Sequence, residues 1–98
     1  MKKNDILKNI ANHASDIQCF GVKKIGLFGS FLKGKNSKNS DVDIIVEFKK
    51  GCETFDNYFD LKFYLENLFK RHVDLVVHNT LKPAIKKRVI NEVKYALI

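Results

Sequence analysis

A chain of 98 residues is long enough for one small domain with a single core and too short for a catalytic domain plus a separate substrate domain. With 45% hydrophobic and 11% aromatic residues, the sequence is too apolar for a disordered chain. Its net charge of +7 suits an anionic ligand or partner, although a composition rich in Lys, Asn and Ile is also what an AT-rich genome encodes. We therefore expect one globular domain over residues 1–98, with any large substrate held partly by another molecule.

Neither the cysteines nor the apolar segments indicate secretion or insertion into a membrane. Cys19 and Cys52 have no pairing pattern and no Cys-x-x-Cys spacing of a zinc or redox site. The N-terminus alternates polar and apolar residues, so it lacks the continuous apolar segment of a signal peptide. No other apolar run approaches the roughly 20 residues of a membrane span. The sequence predicts a cytoplasmic protein without a membrane partner.

The first part of the chain predicts a helix, a buried strand and a short helical turn. Apolar positions spaced by three and four residues indicate an amphipathic helix over residues 4–20, with Asn4 as its cap and Gly21 as its end. The segment KKIGLFG that follows is short, apolar and bounded by glycine, which is typical of a buried strand. It ends at Gly29, and Ser30 is placed to cap one helical turn in SFLKGK before the polar loop GKNSKNS.

Two further predicted strands carry acidic residues. The segment DVDIIVEF alternates in polarity, so that Asp41 and Asp43 open one face of a strand while apolar residues occupy the other face. The segment HVDLVVH predicts a third strand, in which Asp74 stands among apolar residues. An unpaired charge is costly in such a setting, so Asp74 needs a partner. The structural explanation is an ion pair with Lys70 or Arg71, and the functional one is a bound cation.

Two more helices are predicted on either side of the third strand. Thr54 is placed to cap a helix over residues 55–70, and Pro83 begins a helix over residues 83–93. The order of elements indicates an α/β layer structure with three strands and flanking helices. Four aromatic residues of the helix over 55–70 follow helical spacing, which favours a place in the core over a base-stacking surface: Phe59, Phe63, Tyr64 and Phe69.

The paired aspartates point to a divalent cation. Asp41 and Asp43 are two positions apart on an extended chain, which directs both side chains to one face with their Cα atoms roughly 6.6 Å apart. Two ionised carboxylates at that separation repel each other unless a cation lies between them. Mg²⁺ binds oxygen ligands and keeps its other positions for water and phosphate. The alternative for SDVD taken alone is a loop end that faces solvent.

The Gly-Ser pair before the loop is a candidate phosphate site. A turn at Gly29 and Ser30 that leads into a helix offers unpaired backbone N–H groups, a hydroxyl and the positive end of a helix dipole. Glycine also lets a phosphate approach the backbone closely. The dipeptide alone indicates little, since most Gly-Ser pairs are ordinary turns.

Together these segments resemble a known signature. GS, ten residues and then DVD is similar to the signature of the polymerase β superfamily, and GSFLKGKNSKNSDVDIIVEF resembles the version found in minimal nucleotidyltransferases. The family has a further aspartate on the next strand, where HVDLV stands here, and the resemblance extends to the terminal LKPAIKKRVINEV. Lys33 departs from the family, which usually has Arg before the second glycine; lysine meets a phosphate as a point charge without the fork of arginine.

The resemblance implies an α/β (α+β) fold with a three-stranded mixed sheet and about four helices. It also implies that the protein transfers AMP from ATP to a hydroxyl group. It implies that Asp41 and Asp43 hold one or two Mg²⁺ ions. Asp74 would bind the metal on the acceptor side or take the hydroxyl proton itself. The nucleotide would be held by a second group of residues, of which the first two hold the β and γ phosphates: Gly29, Ser30, Lys33 and Ser40.

The acceptor implied by the resemblance is another protein. Relatives that modify aminoglycosides, transfer RNA ends or DNA primers have further domains for those acceptors, and this chain has no room for one. It resembles antitoxins of similar length that are paired with HEPN toxin ribonucleases and add AMP to a toxin tyrosine. The resemblance therefore implies an antitoxin that modifies a HEPN partner and can form an oligomer with it.

Other functions stay open at this point. A binding module would neutralise its partner by contact alone, without turnover. A transferase could also act on a small molecule that a separate subunit holds. Nucleic acid is not expected as a direct substrate. The binding-module hypothesis rests on four basic residues in and beside the last predicted helix: Lys82, Lys86, Lys87 and Lys94. A solvated helix face explains these residues equally well.

Overall fold

The computed structural model describes residues 2–35, 37 and 40–98, so three residues of the predicted loop GKNSKNS (36, 38 and 39) lie outside the described part. The elements follow one another in an order close to the predicted one. In chain order they are α1 (Lys3–Asn12), α2 (Ala14–Gln18), β1 (Val22–Phe28), α3 (Ser30–Lys33), β2 (Val42–Phe48), α4 (Phe55–Phe69), β3 (Val73–Val77), a 3₁₀ turn (His78–Thr80), α5 (Pro83–Asn91) and β4 (Lys94–Tyr95).

Within the described residues, four strands form one mixed sheet in the order β3-β2-β1-β4. Strand β1 pairs antiparallel with β2 and β4, whereas β2 and β3 run parallel. The α/β (α+β) class with a mixed sheet and flanking helices is confirmed, and the strand number of three was wrong by one. Strand β4 is only two residues long, so it offers no alternation of polarity to detect.

The hydrophobic core lies between one face of the sheet and the helices α1, α2 and α4. Alternate residues of β2 point into it, which is why the apolar positions of DVDIIVEF are spaced by two. Helix α4 begins at the predicted cap, where the Thr54 hydroxyl accepts a hydrogen bond of 3.1 Å from the Asn57 N–H. The fully buried side chains of this core include Ile6, Ile10, Ile17, Ile25, Leu27, Val42, Ile44, Val46, Leu61, Leu65 and Val73.

The predicted helix over residues 4–20 is divided at His13. The backbone of His13 (φ −113°, ψ 25°) leaves the helical region, and its Nδ1 lies 2.8 Å from the carbonyl oxygen of Asn9. The predicted cap at Asn4 was also wrong, because α1 begins after Lys2. The Lys2 N–H donates a 2.9 Å hydrogen bond to the carboxylate of Asp5. Apolar spacing runs through the break, so it does not reveal the division.

The aromatic residues of α4 divide between core and solvent, so their prediction as core residues was only partly correct. Phe69 is buried, but Phe63 is 56% exposed and the neighbouring Phe55 is 77% exposed. Phe55, Phe59 and Phe63 stack along the helix with ring centroids 4.5 Å and 6.2 Å apart. Helical spacing shows that residues share a face, but it does not say whether that face meets the sheet.

The C-terminal segment covers part of the second face of the sheet. Gly26 of β1 pairs with Ile45 on one side and Tyr95 on the other, two residues away from the pair formed by Phe28 and Asp43. A Cβ atom at Gly26 would lie 2.6 Å from the Val93 side chain and 3.0 Å from the Tyr95 ring. Ile45 is only 1% exposed. The C-terminal segment thus covers the middle of this face, at Gly26, and Asp43 lies beyond the covered part.

None of the helices in the described part of the chain has the length and apolar character needed to cross a membrane.

Candidate active site

The three predicted carboxylates lie at one end of the second face of the sheet, beyond the part that the C-terminal segment covers. Asp43 stands in the second strand of the sheet, opposite Phe28 of β1 on one side and opposite Asp74 of β3 on the other. Paired residues of neighbouring strands point to the same face, with strands about 4.8 Å apart. Asp41 lies two residues before Asp43 and shares that face. The alternation of DVDIIVEF and the parallel pairing of β2 with β3 therefore place all three carboxylates together.

Asp43 is the most constrained of the three. Burial raises the pKa of Asp43 above its ordinary value of 3.8, and the negative charges of Asp74 and Asp41 raise it further. The backbone N–H of Ser30 donates to the Asp43 carboxylate and partly offsets this rise. Asp41 and Asp74 are more exposed than Asp43. The carboxylates therefore lie close enough to repel one another.

The Gly-Ser turn packs directly on this carboxylate. Gly29 has φ 74° and ψ −149°, a conformation that only glycine adopts without strain. A Cβ atom at Gly29 would collide with the carboxylate of Asp43. Glycine is thus required here twice, once for the backbone turn and once for the close approach of an acidic side chain. The predicted close approach to a phosphate at this turn stays a prediction.

Lys33 lies at the end of α3, near the same turn. The predicted cap at Ser30 was wrong. Ser30 is already the first residue of α3, and Gly29 is the cap. Phe31 is buried and anchors this short helix in the core. Lys33 Nζ lies 3.3 Å from Glu92 Oε2, beyond the end of α5. Sequence reasoning missed Glu92, since nothing local links it to Lys33.

Ser40 orders the loop that leads into β2. Its hydroxyl accepts a 2.7 Å hydrogen bond from the Ser37 N–H and lies 3.2 Å from the Ser37 hydroxyl. Arg71 donates to the Ser40 carbonyl over 3.5 Å and places its guanidinium 5.2 Å from the centre of the Phe31 ring. The structure therefore shows Ser40 in contact with the loop, and its predicted contact with a nucleotide stays a prediction.

His72 links Asp41 to the end of α4. Its Nδ1 lies 3.4 Å from the Asp41 carboxylate and its Nε2 lies 3.9 Å from that of Glu66. Glu66 is itself held by the Val73 N–H over 3.0 Å. Sequence reasoning assigned His72 no role in the site; its position directly before the strand that carries Asp74 was the available signal.

The carboxylates suit a hard divalent cation by their chemistry. The donor atoms of Asp41, Asp43 and Asp74 are all carboxylate oxygens, which is the ligand type that Mg²⁺ prefers. They lie at the same end of the sheet. Within residues 2–35, 37 and 40–98, no three Asp, Glu, His or Cys side chains lie close enough together to hold an ion as they stand. Mutual repulsion favours such a separation, and a cation between carboxylates removes that repulsion.

Comparison with known proteins gives a consistent result. The sequence matches the nucleotidyltransferase domain family over residues 7–96. The protein adenylyltransferase MntA of Thermococcus cleftensis is 43% identical over 76 residues, which make up 78% of this chain and 76% of that protein. The family match over residues 7–96 includes Asp41, Asp43 and Asp74.

Two solved structures are similar in fold. One, described provisionally as a minimal nucleotidyltransferase, has a TM-score of 0.83 and 28% identity, covering 96% of this chain and 95% of that one. The other, a complex of a tri-AMPylated HEPN toxin of Shewanella oneidensis with an MNT antitoxin, has a TM-score of 0.67 over 95% of this chain and 70% of that one. At 20% identity, the second similarity shows the fold alone.

Gly29→Ala is expected to destabilise the protein more than Gly34→Ala. Both glycines have positive φ (74° and 70°), so each substitution costs about 1 kcal/mol or more in backbone strain. Nothing lies within 4 Å of a Cβ at Gly34, whereas a Cβ at Gly29 displaces the Asp43 carboxylate. Urea unfolding measures both losses. In an Asp43→Ala background the excess loss at Gly29 should shrink, and an unchanged excess would contradict the contact.

Asp43→Asn is expected to stabilise the protein at pH 7 by a few degrees in Tm. The amide escapes the repulsion and the cost of burying a charge, while its oxygen still accepts from the Ser30 N–H. The pKa of Asp43 in the folded state lies above its ordinary value of 3.8. The cost of holding the charged carboxylate is therefore absent well below pH 3.8, grows as pH rises above 3.8 and is complete above the folded-state pKa. Thermal melts should therefore show a gain that disappears in acid. Asp60→Asn is the charge control, and no gain at pH 7 would contradict the account.

Proposed function

The chain belongs to the nucleotidyltransferase domain family and is a nucleotidyltransferase of the minimal kind, as its sequence signature suggested; from this premise we propose that it transfers AMP from ATP to a hydroxyl group of a partner protein. One observation carries the proposal. Asp43 lies between the Gly29–Ser30 turn on one side and Asp74 on the other. A turn suited to phosphate and a group of carboxylates thus meet at one side chain.

Asp41 and Asp43 would hold Mg²⁺, in one or two ions. When bound, this ion neutralises the triphosphate and favours ionisation of the acceptor hydroxyl. Asp74 lies on the β3 side of Asp43 and is exposed, so it would meet the acceptor and bind its metal or accept its proton. Glycine and serine at the turn lie on the β1 side, where the leaving phosphates would sit. With the acceptor on one side of Asp43 and the leaving phosphates on the other, the attacking and leaving oxygens would lie on opposite sides of the α-phosphorus, as in-line transfer requires.

The nucleotide would lie at the end of the face that holds Asp43, since the C-terminal segment covers its middle at Gly26. Gly29 and Ser30 would receive the β and γ phosphates at a helix start, although α3 is too short for its dipole alone to fix them. Lys33 Nζ would add a positive charge at the same end. Ser40 would support the site through the loop that it orders.

The acceptor would be a tyrosine of a HEPN toxin, for which this protein would act as an antitoxin in the cytoplasm. Two likenesses support this proposal: the relative named as a protein adenylyltransferase, and the fold shared with the antitoxin of an AMPylated HEPN toxin complex. The exposure of Asp74 also fits an acceptor that arrives on another chain. A single domain over residues 1–98 would then suffice for the transfer.

A second candidate function is neutralisation of the partner by contact alone. A groove of about 440 Å³ runs along α5, and its walls include two lysines. Ile85 on the same helix is 50% exposed. An acidic partner with an apolar edge would fit such a surface. The residues lining this groove are Leu81, Pro83, Lys86, Lys87 and Asn91.

Transfer of label from α-³²P-ATP to a co-purified HEPN partner tests the proposal. The double variant Asp41→Asn with Asp43→Asn is expected to lose transfer by roughly 100-fold or more, because the carboxylates that hold the cation are gone. Asp60→Asn, an exposed acidic residue of α4, should transfer as the wild type does. Undiminished transfer by the double variant would contradict the proposal. Full neutralisation of the toxin by a variant that transfers no label would favour the contact reading.

A further inference from the structure

Lys33 and Glu92 form an ion pair at the rim of the active site. Lys33 Nζ and Glu92 Oε2 are 3.3 Å apart, and the two side chains are 46% and 42% exposed. Lys33 ends α3, whose first residue donates its N–H to Asp43. Glu92 follows α5 directly. The lysine that is proposed to meet a phosphate is therefore already paired with an anion of the C-terminal segment.

The backbone positions of both residues are set by the fold. The Lys33 N–H donates to the Gly29 carbonyl over 3.2 Å, and buried Phe31 fixes α3 in the core. On the other side, the Glu92 N–H donates to the Val89 carbonyl over 3.0 Å, and the next residue, Val93, packs on Gly26. The fold therefore brings the two side chains within reach of each other.

The strength of this pair suits a contact that a nucleotide can displace. An ion pair between exposed side chains changes an equilibrium by only about two- to fivefold, because water screens the charges. A triphosphate carries several negative charges, and the ammonium group of Lys33 cannot form a full ion pair with the triphosphate and with Glu92 at once. Phosphate binding would therefore cost the protein the pair with Glu92.

We propose that Glu92 competes with the nucleotide phosphates for Lys33 and so lowers the affinity of the site. The proposal rests on the function given above, in which Lys33 meets a phosphate. It makes Glu92 a determinant of nucleotide affinity that does not itself touch the reacting atoms. It also links two parts of the chain: nucleotide binding releases the Lys33 side chain from Glu92, which lies between α5 and β4.

Isothermal titration of the full chain with AMP-PNP and Mg²⁺ tests the competition in a double-mutant cycle. Glu92→Gln is expected to bind about threefold more tightly, since it keeps the shape of the side chain and removes the charge. Lys33→Met is expected to bind roughly tenfold more weakly. With Lys33→Met in place, adding Glu92→Gln should change the affinity little. Asp60→Asn makes the same change in net charge far from this pair and should bind as the wild type does.

Three results would overturn the competition. Weaker binding by Glu92→Gln would mean that Glu92 holds Lys33 in position for the phosphate. An equal gain with and without Lys33 would mean general repulsion of the anion, and no gain at all would remove the effect. If the wild type transfers labelled AMP while any of these results holds, only the competition fails. If the wild type neither binds AMP-PNP nor transfers label, the proposed function fails with it.

Discussion

The contact between Asp43 and the Gly29–Ser30 turn is the constraint on which the site depends. The carboxylate fits against the turn only because residue 29 has no Cβ, and the Ser30 N–H holds it there. Asp43 also lies on the inner strand β2, paired with Phe28 of β1 on one side and with Asp74 of β3 on the other. One side chain thereby fixes the distance between a turn suited to phosphate and an edge suited to a divalent cation, and the identity of the glycine follows from that packing.

The site is an unfavourable arrangement in the free protein. The pKa of Asp43 is raised by its burial and by the negative charges of Asp74 and Asp41, so the folded state loses stability when the Asp43 carboxyl group ionises. The rest of the structure compensates: a core with buried Ile, Leu and Val side chains supports the sheet from the opposite face. Such a balance is typical of sites that bind a cation, in which the ligand removes the repulsion that the empty arrangement retains. Stability and function therefore make opposite demands on Asp43.

Local patterns predicted the parts of the fold and the site that are encoded locally. Alternation in DVDIIVEF placed Asp41 and Asp43 on one face, and the cost of a charge in an apolar strand singled out Asp74. What could not be predicted depends on long-range packing. Strand β4 fits beside β1 because Gly26 leaves room for Val93 and Tyr95. Glu92 reaches Lys33 only after the chain has passed from β3 at one edge of the sheet towards β4 at the other. The exposure of Phe63 depends likewise on which side of α4 meets the core.

A crystal structure with AMP-PNP and Mn²⁺ tests the central claim most directly, because anomalous scattering locates the metal without reference to its ligands. The account predicts a manganese peak in contact with the carboxylates of Asp41 and Asp43, and phosphates against the Gly29–Ser30 turn. It predicts Asp74 on the far side of the metal from those phosphates, facing solvent. A nucleotide whose phosphates lie away from this turn, or a metal that contacts neither Asp41 nor Asp43, would contradict the account.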